Sequence, residues 1–206
     1  MGIKQFYNRV KRFLKYKNKK TGYGPSELAN FYLQGKKGVE IGGSYHNQFF
    51  LDTLNINTTE QETFYTQEEL KNSTATLNVE VVAQGDELPF EDGQWDFVIN
   101  SHVLEHFFDP IKTINEWLRV IKPDGYIFMI IPNKNVTFDK HKERTTLKEL
   151  IDRHAGLIED PKRDDHHNIW TLEDVLELCQ HMGLNVIDQQ AKDDKVGNGF
   201  TVVIKK

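Results

Sequence analysis

Cysteine is nearly absent from this chain of 206 residues, and long apolar runs are missing altogether. The single cysteine, Cys179, excludes an intrachain disulfide and a metal site built on cysteines, and we expect it to be a buried core thiol. No apolar stretch approaches the roughly 20 residues that span a bilayer, and the N-terminus lacks the pattern of a signal peptide. We therefore expect a cytoplasmic protein.

Basic residues are scarce outside the N-terminal segment. The first 20 residues contain eight Lys and Arg and no acid, whereas the rest of the chain has 18 Lys and Arg against 31 Asp and Glu, a formal charge of −13. A strongly acidic body repels polyanions. Nucleic acid is therefore not expected as a partner.

The basic segment has the pattern of an amphipathic helix over residues 2–17. Its apolar residues at helical spacing are Ile3, Phe6, Tyr7, Val10, Phe13 and Leu14. This helix could pack on the domain or on a second subunit, or it could lie on an anionic inner membrane face as a peripheral anchor. We divide the chain into residues 1–24, with this helix and a linker, and one domain at 25–206.

From residue 38 onward, short β-branched runs alternate with helical stretches, which is typical of an α/β fold with a mostly parallel sheet and helices on both faces. The seven predicted strands are Gly38–Ile41, Thr53–Ile56, Val79–Ala83, Phe97–Asn100, Tyr126–Ile131, Asn185–Gln190 and Thr201–Ile204. One helix should begin at Asp109-Pro110, and another at the capping box Thr171–Asp174. Lys122–Gly125 is predicted as a turn, and the last two strands should pair as an antiparallel hairpin.

The turn after the first strand is the first candidate for a ligand site. Ligands of open α/β sheets bind beyond the carboxyl ends of the strands, and here the first strand ends in Glu40-Ile41-Gly42-Gly43-Ser44. Two glycines let a backbone approach a ligand, and Glu40 can accept a hydrogen bond from a cationic amine. Taken alone, the pattern also fits an ordinary turn.

Four further sequence blocks indicate what kind of ligand this turn binds. They read LPF at 88–90, followed by WDFVI at 95–99, then HVLEH at 102–106 and WLRVIKPDGY at 117–126. In order and spacing, residues 36–131 resemble the class I, Rossmann-like S-adenosylmethionine-dependent methyltransferases of the small-molecule type. One departure is local, because a glycine usual after the first motif is replaced by Tyr45 or His46.

The resemblance implies a cofactor, S-adenosylmethionine, and residues that hold it. The expected set is Glu40, Gly42, Gly43, Ser44, Asn57, Gln84, Gly85, Asp86, Asn100 and Ser101. Asn57 and Gln84 stand where the family usually has acids toward the adenosine half, so each should weaken binding by about 1 kcal/mol. Asp86 or Glu60 could compensate, and both amides could equally be plain loop residues.

Two histidines follow the fourth predicted strand, where the methyl group should project. His102 and His106 are four residues apart and would share a face of a helix. Either imidazole could take a proton from the acceptor, because it titrates near neutrality. We predict them as the catalytic residues, with a structural role as the alternative.

Residues 133–169 form a polar insertion after the fifth strand, in the place where this family commonly builds its acceptor lid. We expect Arg144, Asp165, His166 and His167 to contact the acceptor, with a solvated loop as the alternative. Adjacent histidines in an extended segment point to opposite sides, so no metal site is expected.

The sequence thus predicts a methyltransferase acting on an oxygen or nitrogen of a small polar acceptor, with a saccharide or sugar-derived metabolite as the leading class. The polar character of 133–169 argues against a lipid tail. The alternative is a catalytically silent module of the same fold that binds a partner protein or a membrane surface.

Overall fold

The computed structural model describes residues 25–43, 49–58, 79–162 and 166–206. Within these residues the strands form one seven-stranded sheet in the order β3-β2-β1-β4-β5-β7-β6. The first five strands run parallel, and β7 is antiparallel to both β5 and β6. The predicted α/β fold and its C-terminal hairpin are confirmed. The amphipathic helix predicted for residues 2–17 lies outside the described residues.

The strands are β1 Lys37–Ile41, β2 Asp52–Asn57, β3 Val81–Val82, β4 Trp95–Ser101, β5 Ile121–Pro132, β6 Asn185–Gln190 and β7 Gly199–Lys205. The helices are α1 Glu27–Leu33, α2 Pro110–Val120, α3 Leu147–His154 and α4 Leu172–His181, with short 3₁₀ helices at Leu104–His106 and Phe138–His141. None of the helices in this part of the chain has the length and apolarity needed to cross a membrane.

Each face of the sheet is covered by its own apolar cluster. Val98 and Met129 point to the face on which the buried sides of α2 and α4 pack. Phe97 and Phe128 point to the other face, where α1 and Phe49 cover them. Because side chains alternate along a strand, neighbouring residues at the end of β4 also point to opposite faces.

The predicted helix starts are confirmed by their caps. Oδ1 of Asp109 accepts a hydrogen bond from the Lys112 amide at 2.9 Å, with Pro110 at the first position of α2. Thr171 and Asp174 form the capping box of α4. Cys179 is fully buried in that helix, and burial raises the pKa of its thiol to about 12, as expected of a core thiol.

Two elements differ from the sequence prediction for identifiable reasons. The third strand is shorter than Val79–Ala83, and at its predicted start the carboxylate of Glu80, in place of a backbone carbonyl, accepts the hydrogen bond of the Asn55 amide at 2.9 Å. The predicted turn at Lys122–Gly125 lies within β5. There, Trp95 pairs with Ile121 and Phe97 with Tyr126, so the extra residues of β5 form a bulge.

Candidate active site

The glycine turn after β1 packs tightly against neighbouring side chains of the chain. Gly42 adopts a left-handed φ of 64°, and a Cβ on it would lie 2.7 Å from Cγ2 of Val103. A Cβ on Gly43 would lie 2.4 Å from Oδ1 of Asn55. Both positions therefore require glycine for the turn itself. Ser44, the last residue predicted for this turn, is outside the described residues.

Glu40 is a buried carboxylate just before the turn. Its Oε2 accepts a hydrogen bond from Oγ1 of Thr53 at 3.1 Å, whereas Oε1 is buried and receives none from the described residues. Burial raises the pKa of Glu40 to about 7, although the charge of Lys195 opposes the shift. An acceptor held so far from water can bind a cationic amine strongly.

The end of β4 adds two more buried polar groups. Asn100 is fully buried, and neither atom of its amide has a hydrogen-bond partner among the described residues. Ser101 is also buried and lies on the opposite face of the strand. Buried polar groups are normally hydrogen-bonded, so the Asn100 amide and Oε1 of Glu40 fit the polar methionine end of S-adenosylmethionine.

The residues predicted for the adenosine end already have contacts within the protein. Oδ1 of Asn57 accepts the Thr58 amide at 2.8 Å, and Asp86 pairs with Lys112 at 2.8 Å. The Gly85 carbonyl accepts Nε1 of Trp117 at 2.7 Å.

Gln84 is exposed next to Gly85. The binding roles of these residues toward the cofactor stay predictions. Glu60 lies outside the described residues.

The predicted helical face shared by His102 and His106 is wrong. His102 has a left-handed φ of 57° directly after β4, and its amide donates to the Ile130 carbonyl at 2.8 Å. The helix starts only at Leu104 and is a single 3₁₀ turn that ends at His106. The two histidines therefore do not share a helical face, and their catalytic role stays a prediction.

A cluster of four ionisable side chains lies beside this turn, and we call it the β4 cluster: Glu105, His106, Asp139 and His166. Nε2 of His106 and Nε2 of His166 each lie 3.9 Å from Oε1 of Glu105. The two imidazole rings meet edge to face with their centroids 4.8 Å apart. Nδ1 of His166 is 2.6 Å from Oδ2 of Asp139. The cluster joins the loop after β4 to both ends of the 133–169 insertion.

Glu105 is the most unusual member of the β4 cluster. Its side chain is fully buried, and neither carboxylate oxygen receives a hydrogen bond from the other described residues. Burial, together with the charge of Asp139, raises the pKa of Glu105 to about 8. Nothing in the sequence marks Glu105 as a site residue, because within HVLEH it stands only as part of a family pattern.

A buried polar link holds the insertion against the sheet. The Glu105 carbonyl accepts the amides of His167 at 2.9 Å and Asn168 at 3.0 Å. The Asn168 side chain in turn bonds the Phe107 carbonyl at 2.6 Å, and its Oδ1 accepts Nη1 of Arg153 at 2.9 Å. This link fixes where His166 lies relative to β4.

The remaining residues predicted for the acceptor are dispersed. Arg144 is exposed and pairs with Asp174 at the start of α4, at 3.0 Å. His167 is buried with its ring edge-on to Phe108, so it points away from His166 as adjacent histidines should. Asp165 lies outside the described residues. Of the predicted acceptor set, His166 is the member that joins the β4 cluster.

The fold and this site together define a class. A parallel sheet with a glycine turn after β1, a buried acid before it and polar groups after β4 is the arrangement of the Rossmann-like S-adenosylmethionine-dependent methyltransferases. The chain belongs to the methyltransferase-domain family, whose model matches residues 15–189. The predictions of family, fold and cofactor are confirmed.

Solved and curated relatives agree with this assignment. The fold is similar to that of an S-adenosylmethionine-dependent methyltransferase from Methanosarcina mazei, with a TM-score of 0.54 at 16% identity over 87% of this chain and 97% of that one. An uncharacterised protein of Methanocaldococcus jannaschii is 28% identical over 52% of this chain. A probable S-adenosylmethionine-dependent methyltransferase of Mycolicibacterium smegmatis is 35% identical over 28% of it. The matches span 46% and 22% of those two relatives.

Proposed function

We propose that this chain transfers the methyl group of S-adenosylmethionine to an oxygen or nitrogen of a small polar acceptor, which binds beside the β4 cluster. The observation that supports this most is the convergence of Glu105, His106 and His166 at the carboxyl edge of β4. Ligands of open α/β sheets bind at this edge. The same edge carries Glu40 and Asn100, so cofactor and acceptor would be neighbours.

The residues of the chain divide the work between binding and proton removal. When bound, the cofactor supplies a methyl group on a sulfonium that needs no further activation as a leaving group. Glu40 and Asn100 would hold its methionine end, and Gly42 and Gly43 would keep the turn close. A hydroxyl or ammonium acceptor must lose a proton, and the β4 cluster is the group placed to remove it.

A saccharide or sugar-derived metabolite is the proposed acceptor class. Phe138 presents an exposed aromatic ring beside the β4 cluster: it is 73% exposed, and its ring centroid lies 5.0 Å from that of His166. Sugars have an apolar ring face and a polar edge, so an exposed ring beside hydrogen-bonding groups suits both. A long lipid tail would need a broad apolar channel instead.

A cofactor and acceptor screen tests this proposal. Titration calorimetry should detect S-adenosylmethionine and S-adenosylhomocysteine, and sugars and sugar nucleotides are then screened for S-adenosylhomocysteine release. With the acceptor found, His106→Ala and His166→Ala should reduce turnover while cofactor affinity stays nearly unchanged. His154→Ala is the matched control, because His154 also pairs with an aspartate, Asp109, at 2.8 Å. No cofactor binding at millimolar concentration would favour the silent binding module.

We further propose, from the sequence, that residues 2–17 mediate self-association or peripheral membrane binding. Sedimentation and binding to anionic vesicles should both be compared between the full chain and a chain lacking residues 1–20. Unchanged behaviour in both assays would contradict this role.

A further inference from the structure

The spacing inside the β4 cluster is the starting point. The donor atoms of Glu105, His106 and His166 all lie within 4.8 Å of one another. The two 3.9 Å separations from the Glu105 oxygen are too long for hydrogen bonds. The ligand atoms of a tetrahedral zinc site are about 3.3 Å apart, given bonds of about 2.0–2.1 Å. An inward movement of about half an ångström by each of the three ligand atoms would therefore bring all three within bonding distance of one ion.

The burial of Glu105 is the second, independent observation. Both of its oxygens are buried without a hydrogen bond from another described residue, and Oε1 lies 3.9 Å from Nε2 of each of the two imidazoles. A buried carboxyl group without hydrogen-bond partners is costly whether it is neutral or ionised, and such groups are normally paired or bound to a metal. A cation between the three side chains would satisfy this carboxylate.

Asp139 supplies the third element. Its Oδ2 lies 2.6 Å from Nδ1 of His166, which leaves Nε2 of that ring directed to Glu105. Histidines that bind metals almost always donate their other ring N–H to a carboxylate or carbonyl, which fixes the tautomer. Nζ of Lys142 lies 2.8 Å from Oδ1 of Asp139 and balances the charge of this carboxylate.

We propose that Glu105, His106 and His166 bind a divalent transition-metal ion of the zinc type, with Asp139 orienting His166. Two imidazoles and one carboxylate suit zinc, cobalt or iron rather than magnesium or calcium, which prefer oxygen ligands. Because the His106 side chain is 37% exposed, the ion keeps a side open to an external oxygen ligand.

The metal site would extend the proposed function, and its role in turnover rests on that proposed function. A metal ion lowers the pKa of a bound hydroxyl, so an acceptor oxygen in the open position would lose its proton to water near neutral pH. The cluster would then act through the ion, which favours loss of that proton to water, and no side chain of the cluster needs to take it. Ion binding itself is measurable without any methyl transfer.

Cobalt titration of the untagged full-length chain tests the site. Co²⁺ should give the visible absorption of a low-coordinate site with one equivalent bound, Zn²⁺ should displace it, and Mg²⁺ should not. Glu105→Gln, His106→Ala and His166→Ala should each weaken Co²⁺ binding by about 100-fold or more, whereas His154→Ala should not. Circular dichroism at 25 °C confirms that each variant is folded.

Absence of Co²⁺ absorption, or equal binding by the wild type and the Glu105→Gln variant, would overturn the proposal. Zn²⁺ should also raise the melting temperature of the wild type and not that of Glu105→Gln, a readout independent of absorption. If cofactor binding and turnover persist in a chelator, the role of the metal in turnover is excluded and the proposed function stands. If the ion binds but S-adenosylmethionine does not, the metal site stands and the proposed function fails.

Discussion

Oδ2 of Asp139 lies 2.6 Å from Nδ1 of His166 and joins two parts of the insertion 27 residues apart. The carboxylate accepts Nδ1–H, so the lone pair of Nε2 is directed toward Glu105 and His106. The pair thus orients the one imidazole that connects the insertion to the end of β4.

Asp139→Asn should disturb this orientation. The amide can donate to Nδ1 and so favour the wrong tautomer, and we expect Co²⁺ affinity to fall by about 10–100-fold. Cobalt titration measures this loss. Asp152→Asn, which removes the partner of Lys148 on α3, serves as the control and should leave affinity unchanged. Equal affinity in Asp139→Asn and wild type would show that Asp139 does not orient the ligand.

Cofactor affinity should depend on pH through Glu40. Since the pKa of Glu40 is raised to about 7, the free protein holds it mainly neutral below that pH and ionised above it. A cationic amine prefers the carboxylate, so affinity for S-adenosylhomocysteine should rise up to about tenfold per unit below pH 7 and level off above it.

Calorimetry between pH 6 and 7.5 measures this rise. The upper limit avoids the nearby Lys195, because burial lowers the pKa of its ammonium to about 8. Glu40→Gln should bind weakly and without the rise, whereas the exposed Glu177→Gln should keep it. The same pH profile in Glu40→Gln would rule out this carboxylate as its source.

Asn57→Asp should strengthen cofactor binding. An ionised acceptor makes a hydrogen bond roughly twice as strong as a neutral one, and the aspartate can still accept the Thr58 amide. We expect affinity for S-adenosylmethionine to increase several-fold, by about 1 kcal/mol. Asn115→Asp on the exposed side of α2 controls for the added charge. An unchanged affinity would place Asn57 away from the ribose hydroxyls.

Arg153→Met should destabilise the fold. The buried guanidinium lies over Phe108 and donates to Asn168, and it also contacts Glu149. Removing it leaves buried acceptors unpaired, at a cost of about 2–4 kcal/mol in the free energy of unfolding. Urea denaturation measures this loss. The exposed Arg144→Met should cost far less, and similar losses in both variants would contradict the link.

Glu105→Gln should change how stability depends on pH. Because the pKa of Glu105 is raised to about 8 in the folded chain, Glu105 ionises first in the unfolded chain, and stability falls progressively as pH rises from the unfolded pKa toward 8. The glutamine variant lacks this loss. In a chelator, the wild type should lose more unfolding free energy between pH 5 and 9 than Glu105→Gln does. Equal losses in the two proteins would mean that burial does not raise the pKa of Glu105.

Most of the sheet was predictable from the sequence because local rules act within single elements. The Asp109-Pro110 start of α2 and the β6–β7 hairpin follow from capping and from the lack of a helix between two strands. The bulge in β5 was not predictable, because it depends on how Trp95 and Phe97 meet the neighbouring strand.

The β4 cluster could be predicted from the sequence only in part. His106 and His166 were singled out by their chemistry and their place after strands. The reversal at His102 and the burial of Glu105 depend on the packing of residues distant in sequence, such as His167 and Asn168 on the Glu105 carbonyl. No local pattern carries that information.

The attachment of residues 167–168 to the Glu105 carbonyl has a consequence for how the proposed acceptor site could diversify. These contacts use backbone amides, which any non-proline residue supplies. Apart from His166 and Asn168, side chains that would face the proposed acceptor can therefore be exchanged while the segment stays docked. Acceptor preference could drift in evolution, or be redesigned in the laboratory, without rebuilding the sheet beneath it.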